Sequence, residues 1–379
     1  KFNPMDLWRE NYTLKSIEIS PGTLKLKVNN QGETNFDILA EKKDTLETTE
    51  LALKLEEVEF EDFRFSYSNR VIDQKYAVNI NSMSLAGEFS ASKFTTSATS
   101  DLQIITAKSG KINLVSNKPA KLNIAVNVDK ESGTIEIPQS TIYVSNLPFT
   151  FKGNIAEKDF QFSLKGKNIK IEDAANRLAM KETEHVRNFA GTGTLLFDLE
   201  INGDDTAKQP VTVDCNFGIN NGSIKEPATG IAVTGLHLEG IYSNRGGSEK
   251  EKLELKNIGF KTSGGPFKGN LKLTQFAHPI FEGNADGTIN LEVLHALFQI
   301  PTVQTLTGEI DMHSDFLIKG NTDQNNIVQY DIKKLDGQLI LKDVDLQLID
   351  DKREFENIAG RVYLNGDEAG IDNVKLRVK

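Results

Sequence analysis

The sequence predicts a mainly β protein, with mostly antiparallel sheet, two or three short helices and an organisation in degenerate repeats. Three observations carry that prediction. Apolar residues recur with period two along most of the chain, as in Lys121–Asp129, where Leu122, Ile124, Val126 and Val128 alternate with mostly polar neighbours. Gly, Asn, Asp or Pro stands between many of these runs, as turns require. Two segments break the period for helical spacing, and they do so in matching surroundings. Clean alternation means one dry and one wet face. That favours antiparallel pairing, since parallel sheets buried on both faces read as continuous apolar runs.

Taken in order, Pro4–Glu10 around Leu7 and Trp8 is a short helix candidate. Alternating strands follow at Leu51-Leu53-Leu55, Phe63-Phe65-Tyr67, Leu122-Ile124-Val126 and Phe160-Phe162-Leu164. Residues 171–188 then place Ile171, Ala174, Ala175, Leu178 and Ala179 at helical spacing. Glu172 and Asp173 stand in the first turn, where the helix dipole favours acids. Strands resume at Leu195-Phe197-Leu199-Ile201, Val211-Val213-Cys215-Phe217-Ile219 and Leu271-Leu273. Residues 290–298 offer Asn290 as an N-cap before Leu291, Leu294, Leu297 and Phe298, a second short amphipathic helix. Val344-Leu346-Leu348 and Leu376-Val378 close the series.

Phe160–Leu178 (FQFSLKGKNIKIEDAANRL) and Ile280–Phe298 (IFEGNADGTINLEVLHALF) share the order strand, glycine turn, short strand, helix. Further parallels begin at Gly133-Thr134-Ile135 and Gly222-Ser223-Ile224, and a third opens at Gly337-Gln338-Leu339. Repeats that each expose a dry face must stack to cover it, which predicts an elongated body. The expected sections are an N-terminal β section over 1–130, a repeat section with both helices over 131–305, and the start of a further, truncated β repeat over 306–379.

Composition excludes several functions. Fifty-four acidic against 44 basic residues leave a net charge of −10, without the basic footprint that nucleic acid needs. The single cysteine, Cys215, rules out an internal disulfide framework. Its parity with Val213 and Phe217 makes it a small buried hydrophobe. No apolar stretch reaches the roughly 18 to 20 residues of a membrane helix. The chain begins at Lys1, so an upstream signal or anchor is expected to have been removed. No GxSxG, HExxH, Walker loop or GxGxxG pattern occurs, and His185, His237, His278, His295 and His313 are scattered singly. No enzyme, metal or cofactor is therefore expected. Acid pairs such as Asp204-Asp205, Asp350-Asp351 and Asp367-Glu368 follow turn chemistry, and the Glu56–Asp62 run keeps Val58 and Phe60 on one parity over a solvated face.

What remains is the dry face. Phe outnumbers Tyr 21 to 7, with one Trp, which speaks against a sugar platform built on amphipathic rings. Either this face packs against a second sheet or the helices, as in a structural or adhesive β-sandwich array, or it lies on one long curved sheet and stays open to apolar ligands. The candidate residues for lining such an apolar groove are Leu122, Ile124, Val126, Phe160, Phe162, Leu164, Val211, Val213, Phe217, Leu271 and Leu273.

From Phe189 to Phe298 the chain reads GTGTLLFDLEINGDD, VTVDCNFGINNGSIKEPATGIAVTGLHLEGIYSN, LELKNIGFKTSGGPFKGNLKL and PIFEGNADGTINLEVLHALF in succession. In this order of strands, glycine turns and closing helix, and in the earlier KGKNIKIEDAANRL, it resembles the AsmA-like family of Gram-negative envelope proteins. The likeness is close from Gly133 onward and looser before it. It implies kinship with TamB-like and bridge-like lipid transfer proteins: an inner-membrane anchor, then a periplasmic sheet curled into a U-shaped groove with an apolar lining. Such a groove carries phospholipid between inner and outer membranes, as part of outer-membrane biogenesis. The implied partners are phospholipid or another acyl-chain lipid, the inner membrane through an anchor absent from this chain, and an outer-membrane protein.

Overall fold

A computed structural model describes residues 13–36, 54–87, 89, 92–109, 112–156, 159–178, 190–204, 211–225, 230–247, 250–276, 278–298, 300, 302–322, 328–349, 351–365 and 368–379. These residues form 19 strands, which belong to one sheet, and two helices. The mainly β, mostly antiparallel expectation is met. The helix expected at Pro4–Glu10 and the strand start at Leu51-Leu53 lie outside the described residues.

The chain divides into two compact units, Lys1–Gly166 with Leu199–Thr212, and Lys167–Asp198 with Val213–Lys379. The first contains β1 (Thr13–Ile19), β2 (Gly22–Val28), β3 (Lys54–Asn69), β4 (Gln74–Gly87), β5 (Lys93–Ser109), β6 (Ile112–Asp129), β7 (Thr134–Val144), β8 (Leu147–Ile155) and most of β9 (Asp159–Lys170). β1 and β2 both run parallel to β3, one along Lys54–Phe60 and the other along Phe63–Asn69; from β3 to β9 each strand pairs antiparallel with the next.

The second unit holds α1 (Ile171–Leu178), the first part of β10 (Ala190–Asp204) and nearly all of β11 (Thr212–Lys225). It continues through β12 (Ala232–Ser243), β13 (Lys252–Thr262), β14 (Gly265–Thr274), β15 (Ile280–Asn290), α2 (Leu291–Phe298), β16 (Val303–Thr322), β17 (Val328–Leu348), β18 (Glu354–Asn365) and β19 (Glu368–Val378). From β11 to β19 each strand pairs antiparallel with the next.

The period-two pattern slips by one residue at several places, and each slip is a β-bulge. Leu253 and Leu255 are followed by Ile258 and Phe260, and the β13–β14 register shifts between Leu255 and Ile258. The extra residue, Asn257, takes a φ of 52°, a left-handed conformation that Asn tolerates better than most residues. Asn221, Asp343 and Asn357 do the same at the shifts after Ile219, Leu341 and Glu356. A bulge restores the parity, so apolar residues on both sides of it return to one face. It also bends its strand and raises the local twist.

The helix repeat is preserved: β9 runs into α1 at Ile171 as β15 runs into α2 at Leu291, and each helix is described over eight residues. α1 is described to Leu178, with the rest of the expected 171–188 helix outside the described residues. The Asn290 side chain accepts the Val293 N–H at 3.0 Å, the expected N-cap. Leu291 and Val293 are buried at 4% and 5% exposure, and α2 rests against β15 and β16. The upstream parallels are not structurally equivalent. Gly133 lies in the turn before β7 with φ of 66°, whereas Gly222 and Gly337 lie inside β11 and β17. A shared Gly-x-Ile/Leu string is too short to determine whether the chain turns or extends.

Candidate functional site

Residues directly opposite in an antiparallel pair project to the same face, so the registers trace the dry face strand by strand. In the first unit Val58, Phe60, Phe63 and Phe65 of β3 oppose Leu85, Met83, Ile80 and Val78 of β4. Leu85 and Met83 then oppose Ala98 and Ser100 of β5, which oppose Ile124 and Leu122 of β6. Val128 leads to Ile135 of β7, Ile155 of β8 and Phe160 of β9. One apolar face therefore extends from β1 and β2 to β9. It carries six of the candidate residues: Leu122, Ile124, Val126, Phe160, Phe162 and Leu164.

The second unit repeats the arrangement. Cys215, Phe217 and Ile219 of β11 oppose Tyr242, Gly240 and Leu238 of β12. Tyr242 and Gly240 oppose Leu253 and Leu255, which oppose the candidates Leu273 and Leu271 of β14. Phe281, Ile318 and Ile332 continue the row to β17, and Leu339, Val362 and Ile371 complete it at β19. Val213, of the same parity as Cys215, joins this face; Val211 precedes β11 in the other unit and is buried.

Depth of burial separates these candidates. Val213 is 2% exposed, and Ile124 and Val211 are 8% exposed. Leu122, Val126, Phe160, Phe162, Leu164, Phe217, Leu271 and Leu273 are only half-buried, as are most of their cross-strand neighbours. Toward β19 the face opens further, with Ile371 at 72% and Leu376 at 52%. All 19 strands belong to one sheet, so the described residues contain no second sheet.

Phenylalanine rings lie down on this face. A Cβ added to Gly240 would fall 2.2 Å from the Phe217 ring, and one added to Gly153 would fall 2.6 Å from Phe162, so each ring occupies the space above a cross-strand glycine. Phe63 over Gly22 and Phe160 over Gly203 repeat the arrangement. Phe162 also packs against Phe151 at 5.8 Å and Phe160 at 5.5 Å between ring centres. Rings laid flat over glycines make a smooth apolar floor, where upright rings would interlock with a facing layer.

The opposite face is polar. Lys252 and Lys256 flank Glu254 at 3.0 and 2.9 Å, Lys272 meets Glu282 at 3.4 Å, and Asn270 donates to Asn284 at 3.2 Å. The Lys256 and Lys252 ammonium groups hold the Glu254 carboxyl below the usual range. A shallow depression of about 370 Å³ lies between these strands, bordered by Glu254, Lys256, Asn257 and Asn270.

Cys215 is buried, and burial together with the Asp198 charge pushes its thiol up to about 12, far from a reactive thiolate. Burial also pushes up the Tyr242 hydroxyl, which donates to Glu251 at 2.7 Å. His313 bonds Asp286 at 2.7 Å in an exposed cross-strand pair, and His185 lies outside the described residues. Among the described residues no three His, Cys, Asp or Glu converge as a metal site would require, and no helix is long and apolar enough to cross a membrane. The face also holds residues missing from the sequence-derived candidates, among them Leu253 and Phe281 and, beyond a bulge, Ile258, Phe260 and Val344. For those beyond a bulge the signal was the one-residue slip beside an Asn or Asp. No family model, curated protein or solved structure matches this chain.

Proposed function

We propose that this chain is a lipid-binding module of the AsmA-like kind, whose apolar face carries acyl chains of phospholipid between the inner and outer membranes of a cell envelope. One observation carries the reading: within each unit, half-buried Leu, Ile, Val and Phe side chains run across successive strands on one face of a single sheet. Exposed apolar area on that scale belongs to a binding surface. The floor of flat Phe rings suits a flexible chain without directional polar groups. The sequence likeness supplies the setting: a periplasmic location, an inner-membrane anchor outside this chain and an outer-membrane protein as recipient.

Native mass spectrometry of gently purified protein tests the reading. Co-purified phospholipid, displaced by a competing fatty acid, is the expected result. Protein that leaves the cell free of lipid and takes up none from vesicles would instead favour a structural array without a ligand.

A further inference from the structure

The β6–β7 ladder is broken in the middle. It pairs Ala120 and Lys121 with Val144 and Tyr143, then resumes only where Asn127, Val128 and Asp129 meet Glu136, Ile135 and Thr134. Between these two zipped ends, Leu122–Val126 on β6 and Ile137–Ile142 on β7 have no partners in this ladder, although both strands stay paired on their outer sides.

The cause is one surplus residue. Five residues of β6 confront six of β7, and the β7–β8 register shifts at the same place, between Ile137 and Ser140, where Pro138 and Gln139 together face Lys152. A bulge normally rejoins the ladder within a residue. Here proline removes a donor from β7 at Pro138 and another from β6 at Pro119. The Pro119 carbonyl accepts the Ser145 N–H at 2.7 Å, so Pro119 faces β7. By alternation, Asn123 and Ala125 turn their peptide groups to β7 as well, while Leu122, Ile124 and Val126 bond toward β5. The candidate lipid-facing residues Leu122, Ile124 and Val126 line this seam.

We propose that the β6–β7 seam is an expansion joint: it parts between Lys121 and Asn127 while both ends stay zipped, and so widens the apolar face of the first unit to seat an acyl guest. The proposal rests on the lipid reading for its guest, but not for its mechanics.

Residue-resolved amide exchange on the full chain tests the mechanics. Asn123 and Ala125 should exchange about 100-fold faster than Leu122, Ile124 and Val126. Pro138→Val with Gln139 deleted equalises the two sides and lets the ladder close with every apolar residue on its present face. It should slow exchange at Asn123 and Ala125 at least tenfold and lower uptake of a pyrene-labelled phosphatidylglycerol from vesicles severalfold. If that variant does not fold, Pro138→Val alone, which restores a donor without changing length, should shift both readouts in the same direction. Uniform protection along β6 in the unmodified chain would overturn the joint whatever the lipid result. So would a closed variant that takes up lipid normally. An unmodified chain that shows the alternation but takes up no lipid would overturn the lipid reading and leave the mechanics standing.

Discussion

Phe217→Asp, read beside Val213→Asp, separates an open apolar floor from a closed core. Both residues lie on β11 and on one face, yet Val213 is 2% exposed and Phe217 is half-buried with its ring spread over Gly240. At Phe217 the loss is about half the transfer energy of a fully buried Phe, roughly 1 kcal/mol. A further cost of up to about 1 kcal/mol comes from placing Asp in a strand. Water reaches the empty floor, so the new carboxylate stays hydrated and ionised. The total of about 2 kcal/mol should lower the melting temperature by several degrees and leave the protein folded. Covering that carboxylate with an acyl chain costs several kcal/mol, which at 1.4 kcal/mol per tenfold weakens lipid binding by at least about 100-fold. Val213→Asp puts the same charge where no water follows, and it should unfold the second unit. Circular-dichroism melting beside lipid extraction of both variants gives the answer. A Phe217→Asp protein that melts as Val213→Asp does would refute the open floor, and a stable one with normal lipid would remove Phe217 from the track.

Three further outcomes are expected. Gly240→Val drives a side chain into the Phe217 ring and should cost about 1 to 3 kcal/mol as overpacking; adding Phe217→Ala should recover part of the loss, and additive melting shifts would refute the contact. Cys215, its thiol pushed up to about 12, should resist iodoacetamide at pH 8 in the folded protein and react at once in denaturant, as peptide mass spectrometry will show. At Asp214 burial works to raise the carboxyl, but bonds from the Ser243 hydroxyl and the Arg245 guanidinium outweigh it, so the folded value lies below the ordinary 3.8. A depressed value stabilises the fold above the unfolded value and is lost as pH falls through the folded one. Asp214→Asn should therefore reduce stability at neutral pH while flattening acid unfolding below about pH 4.

The sequence by itself determined which residues share a face between bulges and where the two described helices begin. Those properties are local: the alternation of Leu122, Ile124 and Val126 follows from the two-residue period of an extended chain, and the cap at Asn290 from side chain and backbone three residues apart. It also marked Cys215 as buried, through parity alone. The tertiary structure decided how the faces are assembled. Whether Phe217 lies on Gly240 or stands against a facing layer depends on a register between strands some twenty residues apart in sequence, which no local pattern encodes. The same holds for the gap between β6 and β7. Pro138 alone announces only a bulge or an edge, and the gap in the ladder arises because a proline-bearing stretch of six residues on β7 confronts five on β6, a mismatch that exists only once the two strands are side by side.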